Sequence, residues 1–129
     1  MTIPYICILI AALLPYVWVT IAKAAGDKYD NRDPRGWLAR QGSSRSHRAN
    51  AAQLNGFETF PAFAAAVLMA QFAGVDHARI TWLAIGFVVF RVLHGMFYVG
   101  NKPQFRSLSW FLGLFCVLTL MGMAIARVS

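Results

Sequence analysis

The chain has 129 residues, of which 58% are hydrophobic and 13% are charged, and its formal net charge is +7 at pH 7. Its mean hydropathy of +0.52 lies outside the balance of an ordinary soluble domain. A hydrocarbon core roughly 30 Å thick is crossed by about 20 apolar residues, so the chain can hold four spans and leaves no soluble domain over.

The first predicted span runs from about Ile3 to Ala25. No basic segment precedes it, and its apolar run exceeds the usual core of a signal peptide, so we predict a retained span. Cys7 lies in this span and Cys116 lies in the last one. Because neither cysteine has CxxC spacing or a nearby His or Cys partner, we expect buried thiols and no metal site.

Basic residues are concentrated between the first and second apolar segments. Under the positive-inside rule this pattern predicts a cytoplasmic 23–48 loop, and it does not resemble a surface for nucleic-acid phosphates. The loop is polar and rich in turn residues, so we expect it to be irregular and partly mobile. One interpretation is that its positive charge sets the topology and contacts anionic headgroups of the membrane lipid. The other is that it attracts an anionic substrate. The basic residues are Lys23, Lys28, Arg32, Arg35, Arg40, Arg45 and Arg48.

Three further spans follow at about 48–73, 78–99 and 105–127. The stretch from Gly74 to Asp76 predicts a short turn between the second and third spans, and Gly100 and Pro103 break the chain before the fourth. Four spans place the 100–106 link on the cytoplasmic side with the 23–48 loop. Both termini are then predicted on the opposite side of the membrane.

Two of the predicted spans carry polar residues at helical spacing. Arg48, Asn55 and Glu58 share one face of the second span. On the third span, Arg91, His94 and Tyr98 follow at i, i+3 and i+7. An ionised side chain near the bilayer centre costs at least ~2.5 to 3.5 kcal/mol, so such groups normally face a partner or a water-filled cavity.

Glu58 needs a cation, and Arg91 is the natural candidate because its planar fork can donate two parallel hydrogen bonds to a carboxylate. Such a pair could serve only to fix the helix register. The additional polar residues Asn55, His94 and Tyr98 favour a binding cavity instead.

Arg106 and Ser107 begin the fourth span. Arg106 could simply reach the lipid headgroups and Ser107 could cap the helix. Together with the two polar stripes, they favour a charged lid over an anion. A guanidinium beside a thiol stabilises the thiolate, which is the nucleophilic form.

At these residues the chain resembles the family of membrane-associated proteins in eicosanoid and glutathione metabolism, abbreviated MAPEG. The stretch "NGFETFPAF" resembles the pattern of the family's second helix. "RVLHGMFY" is similar to its third-helix signature, and "FRSLSW" is similar to the start of its fourth helix. The resemblance covers nearly the whole chain.

The resemblance implies one all-α integral membrane domain over residues 1–129, a four-helix bundle that assembles as a homotrimer. Glutathione, the co-substrate, would bind between subunits near the cytoplasmic face. Asn55 and Glu58 would contact it from one subunit, and the third- and fourth-helix residues would contact it from the facing wall. Arg106 would hold or activate the thiolate, and Ser107 would be an auxiliary donor. The implied glutathione-binding residues are Arg48, Asn55, Glu58, Arg91, His94, Tyr98 and Arg106.

The implied activity is that of a glutathione transferase, with possible peroxidase activity, acting on lipophilic electrophiles in detoxification. Ala51 stands where many members carry a second glutathione-binding Arg, which leaves affinity and ligand identity open. Trp110 stands where the prostaglandin E synthase branch has Tyr, which argues against that branch's substrate. Two alternatives remain: a small proton-coupled multidrug exporter with Glu58 as its titrating carboxylate, and a non-catalytic glutathione- or lipid-binding member of the family.

Overall fold

The computed structural model describes residues 1–129 and contains α-helices but no β-strand. Four helices are long and one is short, which confirms the all-α prediction. In chain order they are α1 (Thr2–Ala25), α2 (Pro34–Ala39), α3 (Ser44–Phe72), α4 (His77–Val99) and α5 (Pro103–Val128).

Three of the long helices, α1, α4 and α5, are long and apolar enough to cross a membrane. The prediction of a membrane protein is therefore confirmed, whereas composition supports three spans and not the four predicted. α3 is long enough but fails on composition because charged and amide side chains fall within its N-terminal half, among them Arg48, Asn55 and Glu58.

α3 and α4 form the centre of the helix arrangement. α1 packs against both of them, and α5 also packs against both. In the core between α3 and α4, the rings of Phe63 and Phe87 are stacked with their centroids 3.9 Å apart. Large apolar side chains on the outer surfaces, such as Phe72 and Trp82, are exposed, as expected for a surface that faces lipid.

Short turns connect the last three helices. Gly74 adopts the left-handed region with φ of +78° between α3 and α4, a conformation that glycine adopts without steric cost. Asp76 then caps α4 by accepting a hydrogen bond from the backbone N–H of Arg79 at 3.2 Å. Asn101, with φ of +57°, lies in the turn after α4, and Pro103 begins α5, where its missing N–H costs nothing.

α1 approaches α3 and α4 closely at two glycines. A Cβ atom at Gly95 would overlap the indole ring of Trp18, and one at Gly56 would lie 2.9 Å from Cγ of Pro15. Trp18 is only 6% exposed as a result of this contact.

The connection between α1 and α3 is more ordered than its composition predicts. Trp37 on α2 is 4% exposed, and its Nε1 donates to the carbonyl of Lys28 at 3.0 Å. Gln41 donates to the carbonyl of Trp37 at 2.9 Å and accepts from the backbone N–H of Asp27 at 2.8 Å. The prediction of an irregular loop is confirmed for residues 26–33 and 40–43 and is wrong for α2, next to which the Trp37 and Gln41 side chains bond to backbone groups of the connection.

The start of α3 also differs from the prediction. The helix begins at Ser44, not near residue 48, and the hydroxyl of Ser43 caps it by accepting from the backbone N–H of Ser46 at 3.2 Å. Ser46 itself is buried and donates to the carbonyl of Ala22 at 2.8 Å. In the exposed part of the connection, hydrogen bonds from Arg32 lower the pKa of the Asp30 carboxyl.

Candidate functional site

A cavity of about 220 Å³ lies where α3, α4 and α5 meet, near the turn that joins α4 to α5. We call it the polar cavity, because most of its lining side chains carry hydrogen-bonding groups. One chain alone therefore brings together the polar stripes of α3 and α4, which the resemblance had placed on facing subunits. The lining residues are Asn55, His94, Tyr98, Arg106, Ser107, Trp110 and Phe111.

Asn55 is the central polar contact between α3 and α4. Its Oδ1 accepts a hydrogen bond of 2.7 Å from Nη2 of Arg91, and its Nδ2 donates to Oε2 of Glu58 at 3.4 Å. No ion pair within 4.0 Å joins Glu58 to Arg91. The predicted bidentate pair between Arg91 and Glu58 is wrong. Asn55 lies one turn before Glu58 on the same face of α3, and its amide oxygen accepts the hydrogen bond from Arg91 instead.

His94 contributes a polar atom that lacks a partner. The residue is 3% exposed, and its Nδ1 is buried without a hydrogen bond. Its ring packs edge-on against Tyr98, with centroids 5.6 Å apart. A buried polar atom without a partner costs about 1–3 kcal/mol, so the contacts of this chain leave one polar atom beside the polar cavity unsatisfied.

Arg106 supplies a positive charge that no carboxylate neutralises. Its Cζ lies 4.6 Å from the centroid of the Tyr98 ring, a cation–π contact. No acidic oxygen lies within 4.0 Å of its guanidinium. Ser107 is exposed at the same end of α5. The mouth of the polar cavity thus carries a free cation and a hydroxyl.

A second cavity of about 220 Å³ lies nearer the middle of α3, α4 and α5. Its walls are mostly apolar, and we call it the apolar recess. Trp110 lines both cavities, so it marks the boundary between them. Other wall residues include Glu58, Ala62, Phe87, Arg91, Gly113 and Val117.

Arg48 lies apart from the other predicted site residues. Its Nε donates to the carbonyl of Val99 at 3.2 Å, and it lines a different cavity of about 460 Å³ together with Trp18 and Arg45. Within one chain the structure therefore brings together seven of the eight predicted residues, five in the polar cavity and two in the apolar recess.

The middle of α5, from Trp110 to Val117, lines the apolar recess, and the sequence analysis did not predict it as part of the site. Trp110, Gly113, Leu114 and Val117 follow Arg106 at spacings of three and four, which place them on one helical face. That periodicity was the available signal, but apolar residues at this spacing usually indicate ordinary core packing.

Other reactive groups do not form a site. No group of three or more His, Cys, Asp and Glu side chains lies close enough together to hold a metal ion. Cys7 and Cys116 are both buried and unpaired. The distinctive chemistry of the chain is therefore concentrated around the polar cavity.

A comparison with curated proteins gives no match. A sequence model of the MAPEG family, by contrast, matches residues 3–126, nearly the whole chain. The match includes all three helices that carry the polar cavity, in addition to α1. The chain belongs to the MAPEG family.

Proposed function

We propose that the protein is a membrane-bound, glutathione-dependent transferase or peroxidase that acts on lipophilic electrophiles. The observation that carries this proposal is the free guanidinium of Arg106 at a polar cavity that shares the wall residue Trp110 with an apolar recess. A hydrophilic thiol and an apolar acceptor need adjoining sites of these two kinds. Membership of the MAPEG family supports the same reaction class.

The donor and acceptor groups of the polar cavity fit glutathione. This tripeptide carries two carboxylates, an amine and a thiol, so its site should offer cations, a carboxylate and amide or phenol donors. Arg106, Asn55 and Tyr98 line the polar cavity and supply a cation, an amide and a phenol. Glu58 in the wall of the apolar recess, which accepts a hydrogen bond from Asn55, supplies the carboxylate. Bound glutathione supplies the nucleophilic sulfur.

Arg106 has the electrostatic role in this proposal. Its positive charge stabilises a thiolate relative to a thiol by direct Coulomb attraction, which strengthens in a site with little water. The hydroxyl of Ser107 is a second donor to the sulfur. Both residues line the polar cavity. The positive charge of the connection between α1 and α3 would attract the anionic tripeptide toward this side of the protein.

We further propose that the protein works as a homotrimer. The polar cavity of one chain, about 220 Å³, is smaller than the roughly 300–1,000 Å³ typical of small-molecule sites. Glu58 is exposed in the middle of α3 and has no ion-pair partner in its own chain, which is costly at membrane depth. A second subunit would enlarge the site and cover Glu58, and Arg48 would contribute from that neighbour.

In the same proposal α3 is the fourth span, with α1, α4 and α5 packed against it and the neighbouring subunit covering Glu58. Its polar residues then face the protein and not the hydrocarbon, so its low hydropathy is tolerated. The 23–48 loop and the 100–106 link face the cytoplasm, where their Lys and Arg residues are expected. Both termini lie on the opposite side.

The test is calorimetric titration of the purified protein with glutathione, together with turnover of a lipophilic electrophile. We expect Arg106→Ala to lower turnover at least about 100-fold, in the range for loss of an electrostatic stabiliser. Glu58→Gln should weaken glutathione binding. Arg127→Ala is the matched control, because it removes an exposed arginine from the other end of α5. Unchanged binding and turnover in both site variants would refute the proposal.

Glutathione binding without turnover in the wild type would instead indicate a non-catalytic member of the family.

One observation favours a second candidate, a proton-coupled exporter of cationic compounds. Glu58 is exposed and is not ion-paired within its chain, as a titrating transport carboxylate must be. Proton-driven uptake of a cationic dye into liposomes separates the two candidates. Uptake that Glu58→Gln abolishes and Arg106→Ala spares would favour the exporter.

A further inference from the structure

We propose that a cavity at the end of the helices opposite the polar cavity binds the headgroup of a phospholipid that carries a primary amine, of the phosphatidylethanolamine class. This end cavity has a volume of about 610 Å³ and lies between the α3–α4 turn and the last turns of α5. None of its lining residues belongs to the proposed glutathione site. The inference therefore does not rest on the proposed reaction.

Two arginines from different helices line the end cavity. Arg79 lies in the first turn of α4, and Arg127 lies in the last turn of α5. Both are exposed, and no acidic oxygen lies within 4.0 Å of either guanidinium. Arg127 reaches the α3–α4 turn, since a Cβ added at Gly74 would lie 4.0 Å from its Nε. The end cavity therefore carries two cations that no ion pair within the chain neutralises.

Asp76 is the one carboxylate in the wall of the end cavity. Its Oδ2 accepts a hydrogen bond of 3.2 Å from the backbone N–H of Arg79, and neither of its oxygens forms an ion pair. An ionised carboxylate can accept about four hydrogen bonds, so Asp76 can bind an ammonium group while it caps α4. The end cavity thus offers two positive groups and one negative group to a ligand.

These charges complement a headgroup that contains a phosphate and a primary ammonium. Guanidinium groups donate paired hydrogen bonds to phosphate oxygens, and an ammonium group donates hydrogen bonds to a carboxylate. A phosphatidylglycerol headgroup has no cation for Asp76, and a choline headgroup has no N–H group to donate. A phosphatidylethanolamine headgroup provides partners for Asp76, Arg79 and Arg127 together.

The end cavity lies at the depth expected for lipid headgroups. Trp82 follows Arg79 by about one turn of α4 and is 73% exposed, and tryptophans are enriched where a membrane meets water. In the proposed topology this end faces away from the cytoplasm, so the positive-inside rule does not account for Arg79 and Arg127. Binding of a lipid phosphate does account for their position.

An apolar cavity at the same end of the helices favours a lipid over a soluble phosphate ester. This cavity has a volume of about 520 Å³, lies between α3 and α5, and is lined only by apolar residues, among them Phe72, Ile125 and Val128. Ile125 and Val128 belong to the same turn of α5 as Arg127. A lipid whose phosphate contacts Arg127 would therefore have an apolar surface beside it for an acyl chain.

The test is native mass spectrometry of the purified, delipidated protein. The protein is incubated with an equimolar mixture of phosphatidylethanolamine, phosphatidylglycerol and phosphatidylcholine that share the same acyl chains. We expect the wild type to retain phosphatidylethanolamine roughly two- to fivefold more than either of the other lipids, which is the size of effect that exposed charge pairs produce. Equal retention of the three lipids would overturn the proposal.

Single variants locate the binding to the end cavity. Asp76→Asn removes the negative charge and keeps a good helix cap, so it should abolish the preference for phosphatidylethanolamine over phosphatidylglycerol. Arg127→Gln should lower the retained phosphatidylethanolamine roughly two- to fivefold. Arg35→Gln, at an exposed arginine on α2, is the matched control and should keep the wild-type lipid profile. A wild-type profile in Asp76→Asn, or an equal loss in Arg35→Gln and Arg127→Gln, would overturn the assignment.

Free phosphoethanolamine distinguishes a lipid from a soluble ester with the same headgroup chemistry. At a concentration equal to that of the lipid, it should not displace phosphatidylethanolamine from the wild type. Displacement at equal concentration would show that the acyl chains contribute nothing and would overturn the assignment to a lipid. Glutathione binding and turnover should be unchanged in these variants, so the outcome leaves the proposed function to its own test.

Discussion

Nη2 of Arg91 in the wall of the apolar recess donates a hydrogen bond of 2.7 Å to Oδ1 of Asn55 in the wall of the polar cavity, and this bond joins α4 to α3. Arg91 is 5% exposed, so the bond holds a buried charge in place. Asn55 also donates to Glu58, which orients the carboxylate. The amide therefore organises both charges beside the two cavities.

Loss of this amide should destabilise the protein. We expect Asn55→Ala to lower the free energy of unfolding by about 1.5–3 kcal/mol, because a hydrogen bond to a buried charged group is lost. Thermal unfolding in detergent measures the change. Gln53→Ala, on the same helix at a side chain without a hydrogen bond, is the control. An equal effect of the two substitutions would show that the Asn55 bond contributes no stability.

The close approach of α1 to α4 predicts a second destabilising change. A Cβ at Gly95 would overlap the indole of Trp18, so Gly95→Ala should cost about 1–3 kcal/mol through overpacking. Gly122→Ala, which meets no neighbour, should be neutral or slightly stabilising. Melting temperatures report both. Combining Gly95→Ala with Trp18→Phe should restore part of the loss, and a double variant no more stable than Gly95→Ala alone would contradict the packing explanation.

The ordered connection between α1 and α3 should resist proteolysis. Gln41→Ala removes the hydrogen bonds to Asp27 and Trp37, so we expect trypsin to cleave the basic connection several-fold faster. Local opening exposes cleavage sites in proportion to its population. Ser44→Ala, at an exposed hydroxyl without a hydrogen bond, is the control. If both variants are cut at the wild-type rate, Gln41 does not hold the connection closed.

The pH dependence of turnover should report the charge of Arg106. In the proposed complex this guanidinium favours the thiolate, so it lowers the pKa of the bound glutathione thiol below its ordinary value. Arg106→Ala should shift the rising limb of kcat against pH to higher pH, and Arg106→Lys should keep most of the wild-type profile. An Arg106→Ala profile with the wild-type midpoint would show that the cation does not act on the sulfur.

Assembly is open to direct measurement. Native mass spectrometry of the protein released from detergent should give three copies of the 14.3 kDa chain. Glu58→Lys should weaken this trimer more than Asp30→Lys, because Asp30 lies in the exposed connection. A stable dimer or monomer in place of the trimer would contradict the proposed assembly.

Much of the fold followed from helical periodicity and the length of apolar runs. The observed helices end within a few residues of the predicted spans because Gly74, Gly100 and Pro103 leave few other places for turns. The polar faces of α3 and α4 could also be predicted, because the spacing of residues along one helix determines which side chains share a face.

The errors arose where several partners compete. Asn55 and Glu58 lie one turn apart, and both can accept from Arg91, so the choice depends on helix rotation and side-chain length, which spacing does not determine. The order of the connection depends on Trp37 and Gln41, whose bonds reach several residues along the chain. The recess at Gly113 arises from three helices together and has no signature in any one of them.

The most direct test of the central claim is a structure determined with glutathione at saturating concentration. We predict the tripeptide in the polar cavity, in contact with Asn55, His94 and Tyr98, with its sulfur within hydrogen-bonding distance of the Arg106 guanidinium. A structure in which these side chains bond only to one another, with glutathione elsewhere or absent, would contradict the account.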